Sequence, residues 1–102
     1  MCEFGLNSDE IRSIQKIAQR FPAIEKLTIF GSRAKGTHKR ASDIDMAVSG
    51  PHVTAEMILE LQDLLEEETL ISYFFDVIRF ETIQSEELID HINRVGKPIY
   101  KR

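Results

Sequence analysis

The sequence of 102 residues has one cysteine, Cys2, and no apolar run that approaches membrane-spanning length. A transmembrane helix needs about 20 consecutive apolar residues, so none is expected. One cysteine cannot form a disulfide within the chain, and scarce cysteine is typical of proteins in the reducing cytoplasm. The first five residues also lack the basic and apolar regions of a signal peptide. These absences predict a cytoplasmic protein without internal disulfides.

Length and composition limit the number of domains. Hydrophobic residues make up 42% of the chain and charged residues 29%, which is ordinary for a globular protein. A chain of this size builds one modest core and leaves no residues for a second, substrate-binding domain. We therefore expect a single domain over residues 1–102.

The net charge of −4 is unevenly distributed. Residues 26–45 carry five cations and two carboxylates, which leaves a net charge of −7 on the rest of the chain. A mostly acidic surface argues against broad nucleic-acid binding, because such binding usually needs a basic face. It does not exclude a nucleoside triphosphate, whose charge is neutralised by a few local cations.

Two short motifs lie in this basic segment. Residues 31–36 read Gly-Ser-Arg-Ala-Lys-Gly, and residues 42–48 read Ser-Asp-Ile-Asp-Met-Ala-Val. Side chains alternate across a strand, so Asp43 and Asp45 point the same way while the apolar residues between them point into the core. At roughly 3.3 Å of rise per residue, the two carboxylates can converge on a hard cation such as Mg²⁺. Their alternative interpretation is the charged outer face of an edge strand.

The glycine-bounded turn suits a phosphate. Gly31 permits close approach to the backbone, turn N–H groups can bind an anion, and Ser32 adds a hydroxyl donor. Arg33 and Lys35 can neutralise phosphate oxygens, although each is also interpretable as a solvated surface cation. The predicted nucleotide-binding residues are Gly31, Ser32 and Arg33.

Other phosphate and cation motifs do not fit. A Walker A loop requires Gly-Lys-Ser/Thr at its end, whereas Gly36 is followed by Thr37 and His38. An EF-hand loop requires oxygen-bearing side chains at alternate positions, and Ala47 occupies the third of these. The glycine positions offer no Rossmann spacing either. A P-loop, an EF-hand and a dinucleotide-binding loop are therefore excluded.

The pattern Gly31-Ser32-x-Ala34-x-Gly36, followed by Ser42-Asp43-x-Asp45, resembles the signature of the DNA polymerase beta-like nucleotidyltransferase superfamily. The resemblance covers about residues 8–100 and is most similar to the minimal nucleotidyltransferase (MNT) branch. It implies a third acidic residue on a later strand, and Asp76 within residues 73–79 fits that position.

A carboxylate inside an apolar strand is costly unless it has a partner. A metal ion would supply one for Asp76, and an ion pair with Arg79 is the structural alternative. Glu81 is the other candidate for the third carboxylate. The three histidines lack ligand spacing and are expected at the surface: His38, His52 and His91.

Periodicity and turn signals predict an α/β (α+β) fold, with a small mixed, largely antiparallel sheet flanked by helices as in the polymerase beta-like core. In chain order we expect a helix over 8–21, strands over 26–30 and 43–49, a helix after Thr54, a strand over 71–80, a helix over 85–94 and a short edge strand at 99–100.

The resemblance implies transfer of a nucleoside monophosphate, AMP from ATP, to an acceptor hydroxyl. Asp43 and Asp45 would hold two Mg²⁺ ions, and Asp76 would complete the acceptor-side metal site or take the acceptor's proton. Because the chain has no room for an acceptor-binding domain, another molecule must supply the acceptor. Similar MNT proteins are commonly paired with a small helical HEPN-domain toxin, which would make this chain the antitoxin. A non-catalytic subunit that neutralises its partner by occlusion, and a small-molecule nucleotidyltransferase, are the alternatives.

Overall fold

A computed structural model describes residues 6–31, 43–68 and 74–102. The elements, in chain order, are helix α1 (Ser8–Ala18), strands β1 (Lys26–Phe30) and β2 (Ile44–Ser49), helix α2 (Ala55–Glu68), strand β3 (Phe75–Arg79), a 3-10 helix (Phe80–Thr82), helix α3 (Glu86–Val95) and strand β4 (Lys97–Lys101). None of the helices within these ranges is long and apolar enough to cross a membrane.

The strands form one four-stranded sheet in the order β3-β2-β1-β4. Strand β1 is antiparallel to both β2 and β4, whereas β2 and β3 are parallel. The predicted α/β fold with a mixed, largely antiparallel sheet is therefore confirmed, and β4 takes the expected edge position. Strand β2 lies between an antiparallel and a parallel neighbour.

Helix starts are set by local side-chain caps. Asn7 Oδ1 accepts from the Glu10 N–H at 2.8 Å, and the Glu10 carboxylate accepts from the Asn7 N–H at 2.9 Å. This reciprocal pair satisfies two donors that the first turn of α1 leaves open. The hydroxyls of Thr54 and Ser85 each accept, at 3.2 Å, from the N–H three residues ahead. The three polar residues therefore explain where α1, α2 and α3 begin.

The two faces of the sheet carry cores of different size. Alternate residues of β2 (Ile44, Met46 and Val48) are fully buried against α1 and α2, as the alternation predicted. On the opposite face, a smaller cluster places Phe30 and Ala47 under Ile92 of α3. The sheet is thus a middle layer, with α1 and α2 on one side and α3 on the other.

Several element ends differ from the sequence prediction. The first helix ends at Ala18, because the N–H groups of Arg20 and Phe21 bond three residues back and tighten the chain into turns. Phe21 nevertheless stays buried. Of the predicted strand over 71–80, the structure describes residues 74–80, and β3 ends there at Arg79. Phe80 leaves the sheet in the 3-10 helix and packs against the smaller core.

Candidate active site

The candidate site lies at one end of the sheet, where β1 ends and β2 and β3 begin. Strand β1 runs toward this end, whereas β2 and β3 run away from it, because β1 is antiparallel and β3 is parallel to β2. The register pairs Phe30 with Asp45, and Asp45 with Asp76. Three consecutive strands therefore bring residues distant in sequence to one edge of one face.

The carboxylates of Asp45 and Asp76 project from this face. Their strands are neighbours at about 4.8 Å, and register partners share a face of the sheet. Asp45 is half-buried and Asp76 is exposed; Asp43, also exposed, directly precedes β2. The structure thus brings two of the predicted carboxylates together, those of Asp45 and Asp76. The other predicted carboxylate, Asp43, lies two residues before Asp45 in the chain.

The chemistry of these donors suits magnesium. Mg²⁺ prefers hard oxygen ligands and is usually held by one or two carboxylates together with substrate phosphates. Within residues 6–31, 43–68 and 74–102, no three side chains from acids, histidines or cysteines are assembled as a metal site. A pair of carboxylates completed by the phosphates of a substrate therefore fits this edge better than an all-protein cage.

Gly31 closes the end of β1 directly beside Asp45. Its φ of +75° lies in the left-handed region, which residues with a Cβ rarely adopt. A Cβ built on Gly31 would lie 2.5 Å from Asp45 Oδ2, closer than real Cβ atoms approach other atoms. The backbone conformation therefore favours glycine here, and any larger residue would displace the Asp45 carboxylate.

His91 belongs to this site, which corrects its expected surface position. Its Nε2 accepts a hydrogen bond from the Gly31 N–H at 3.1 Å. Its ring meets Phe30 edge-on, with centroids 6.2 Å apart and planes at 81°. Helical spacing could have revealed this placement, because His91 lies on the same face of α3 as Leu88, three residues earlier, which packs against the smaller core.

The two alternatives for Asp76 are not supported. Glu81 Oε2 accepts from the Gly50 N–H at 2.9 Å, just beyond the opposite end of β2. It therefore lies away from Asp45, and Asp76 stays the predicted third carboxylate. Within the described ranges, the ion pairs do not include one between Asp76 and Arg79. The exposure of Asp76 explains how the strand tolerates its charge.

Several other predicted positions lie outside the described residues. Ser32 and Arg33, proposed for nucleotide binding, belong to the range 32–42, as do Lys35 and His38. Exposed His52, in the turn before α2, matches its expected surface position.

Solved structures of other proteins have the same fold. A structure described as a toxin–antitoxin with AMP-PNP matches with a TM-score of 0.72 and 24% identity, covering 95% of this chain and 75% of that one. The toxin–antitoxin MntA-HepT gives 0.71 and 19%, covering 94% and 74%. A tri-AMPylated Shewanella oneidensis HEPN toxin in complex with MNT antitoxin gives 0.68 and 20%, covering 91% and 71%. At these identities the likeness establishes the fold.

Sequence comparison identifies the family. No curated protein matches the sequence at a significant level. The family model described as "Polymerase beta, Nucleotidyltransferase" matches residues 12–102, which is most of the chain. Its match includes both motifs and all three aspartates. The chain therefore belongs to the polymerase beta nucleotidyltransferase family.

Proposed function

We propose that this chain transfers AMP from ATP to a hydroxyl group on a separate protein. The observation that carries the proposal is the alignment of Gly31, Asp45 and Asp76 at one sheet end in a nucleotidyltransferase fold. In the reaction, the acceptor oxygen forms a bond to the α-phosphorus of ATP and the bond to the β-phosphate oxygen breaks. Pyrophosphate leaves with that bond's electron pair, and the acceptor hydroxyl loses its proton.

The glycine turn would bind the triphosphate. The Gly31 N–H already donates to His91, so the contribution of Gly31 is the missing side chain, which leaves space beside Asp45. Ser32 would supply a hydroxyl donor, and Arg33 would neutralise phosphate charge. Holding the triphosphate in this way orients the α-phosphorus for in-line attack, which lowers the entropic cost of the reaction.

The three aspartates would divide the remaining work. Asp43 and Asp45 would hold Mg²⁺ beside the triphosphate, and Asp76 would share the acceptor-side cation or accept the proton of the hydroxyl. Two Mg²⁺ ions, when bound, supply positive charge that stabilises the attacking and leaving oxygens. Asp76 suits the acceptor side because it is exposed and lies one strand away from Asp45.

The acceptor would come from a protein partner. The described residues form one sheet and its three covering helices, and in this proposal the acceptor hydroxyl belongs to a second macromolecule. Several solved structures of similar fold are of toxin–antitoxin complexes, one of them with a tri-AMPylated HEPN toxin. A small helical HEPN-type protein is therefore the proposed acceptor, and its modification by this chain would be the antitoxin activity.

Isotope transfer tests this proposal. The chain is incubated with Mg²⁺, a candidate HEPN-type partner protein and ATP labelled either on the α- or on the γ-phosphate. We expect label on the partner only from α-labelled ATP, because the γ-phosphate leaves within pyrophosphate. Label from γ-labelled ATP would indicate a kinase. A stable complex without label would instead support neutralisation by occlusion.

The matched controls are two carboxylate variants. Asp45→Asn should slow labelling by about 100-fold or more, whereas Glu81→Gln, near the other end of β2, should label the partner at the wild-type rate. Equal rates for both variants would overturn the assignment of the site.

A further inference from the structure

The contacts of His91 converge on two consecutive residues at the end of β1. Its ring packs edge-on against Phe30 while its Nε2 accepts from the N–H of the next residue, Gly31. His91 is half-buried between these contacts, and it comes from α3, far along the chain. A single side chain thus fixes both the last strand residue and the first turn residue.

Both of those residues border Asp45. Phe30 is the register partner of Asp45 in the sheet, and a Cβ on Gly31 would lie 2.5 Å from Asp45 Oδ2. A small rotation of the peptide that joins Phe30 and Gly31 would therefore change the gap between the turn and the carboxylate. The hydrogen bond to His91 resists that rotation.

The hydrogen bond that His91 accepts from Gly31 also limits what the His91 ring can do. An Nε2 atom that accepts from a backbone N–H has its lone pair engaged and carries no proton, so the neutral ring holds its proton on Nδ1. His91 Nε2 is consequently unavailable as a base or as a metal ligand while this bond is present. Any effect of His91 on the reaction must pass through the turn.

We propose that His91 is a positioning residue that sets the glycine turn against Asp45, so that the triphosphate and the carboxylate engage the same cation. This role rests on the proposed nucleotidyl transfer. A misplacement of about 1 Å in such a site can cost up to about 100-fold in rate, so the contact has measurable consequences although His91 does not touch the substrate.

A pair of conservative variants isolates the hydrogen bond. In His91→Gln, the side-chain oxygen reaches nearly as far as Nε2 and can accept from the Gly31 N–H; in His91→Asn, the side chain is one carbon shorter and cannot. Both variants remove the ring and its contact with Phe30, so the loss of packing is matched. His52→Gln, in an exposed turn, is the control for a histidine without this contact.

Two measurements report on the bond. Calorimetric titration with α,β-methylene-ATP and Mg²⁺ should give an affinity for His91→Gln within about threefold of wild type and for His91→Asn about tenfold weaker, since only the latter frees the turn. Amide hydrogen exchange at Gly31 should be slow in wild type and His91→Gln and faster in His91→Asn. Melting temperatures of the two variants should agree within a few degrees.

The outcomes separate this role from the reaction itself. Equal analogue affinity and equal Gly31 exchange in His91→Gln and His91→Asn would overturn the positioning role, whatever the activity. If the wild-type chain binds the analogue but labels no partner, the proposed transfer fails while the exchange and affinity measurements still test His91. If His91→Asn loses affinity only in proportion to a lower melting temperature, the residue is structural alone.

Discussion

Similar hydrogen bonds lie near the two ends of strand β2, but they serve different roles. At one end the Gly31 N–H donates to His91; beyond the other, the Gly50 N–H donates to Glu81. Both glycines have positive φ, +75° and +155°. Each is held by a side chain from the C-terminal third of the chain. The same contact, a glycine N–H that donates to a side chain distant in sequence, therefore occurs near both ends of β2.

The difference lies in what a side chain on each glycine would meet. A Cβ on Gly31 meets a carboxylate oxygen of Asp45, the end of a side chain that can rotate. A Cβ on Gly50 meets the backbone carbonyl of Ala23, which can move only with its whole segment. The comparison teaches that a close approach of backbone to backbone serves the fold, whereas a close approach of backbone to an acidic side chain serves a site.

The largest expected effect concerns the carboxylates at the two ends. Asp45→Asn should lower nucleotidyl transfer by about 100-fold or more, the scale of losing a key electrostatic stabiliser. Glu81→Gln should leave transfer unchanged and lower the melting temperature by a small amount, because a neutral amide oxygen still accepts from the Gly50 N–H. Initial rates with α-labelled ATP measure both. A slow Glu81→Gln enzyme would show that both ends contribute to the site.

A second effect divides the functional end itself. Asp76→Asn should reduce transfer by about 100-fold while leaving Mg²⁺-dependent binding of α,β-methylene-ATP within about threefold of wild type, because Asp76 acts on the acceptor side. Asp45→Asn should impair both measurements. Transfer rates and calorimetry on the same preparations separate the roles. Unimpaired transfer by folded Asp76→Asn would remove it from the mechanism.

The third effect distinguishes the two glycines. Substitution of Gly50 should mainly lower stability, whereas substitution of Gly31 should mainly weaken nucleotide binding. Gly50→Ala should destabilise the fold by about 2–4 kcal/mol, since strain and a clash with fixed backbone combine. Gly31→Ala should cost about 1–2 kcal/mol for the left-handed conformation, yet weaken α,β-methylene-ATP binding about tenfold by displacing Asp45. Denaturant unfolding and calorimetry give the two numbers. The reverse order of stabilities would contradict the distinction between the ends.

The smallest effect lies away from both ends. Arg20 and Glu68 form a two-pronged ion pair, with N–O distances of 2.8 and 2.9 Å, between the chain after α1 and the last residue of α2. The hydrogen bond from Arg20 lowers the pKa of Glu68. The stabilisation that this ion pair gives the fold is therefore complete above the ordinary glutamate pKa, and it is lost as the pH falls through the lowered pKa of Glu68.

The two side chains are 54% and 40% exposed, so water screens the pair. Glu68→Gln should lower the melting temperature only slightly at pH 7, and the difference from wild type should vanish in acid. Melting curves across pH measure this. A difference that grows as pH falls would reverse the sign and refute the pairing.

Local signals in the sequence predicted much of this architecture. The caps at Asn7, Thr54 and Ser85 act within one turn of their own helices, so their residue types are sufficient evidence. The alternation of residues 44–48 likewise follows from backbone geometry, and it correctly placed one face of β2 in the core. The two-part motif correctly predicted the family, because it combines a turn, a strand and their spacing.

Long-range packing was harder to predict. His91 and Glu81 bond to glycines 60 and 31 residues earlier in the chain. Helical spacing could place His91 on the packed face of α3, but no local pattern identifies the glycine that either side chain meets. Accessibility also varies along the face of β2 that carries Asp45. Ala47 is fully buried under α3, whereas Asp45 is half-buried and Asp43 is exposed.

The outer edge of β4 has a consequence for self-association. An exposed edge strand offers unpaired N–H and C=O groups to any other extended chain and can nucleate aggregation. Here Pro98 removes one donor, and the exposed cations Lys97 and Lys101 repel an identical strand. A register shift against Leu27 and Thr28 further disturbs the regular ladder. The composition of this edge strand therefore disfavours edge-to-edge pairing with another copy of the chain.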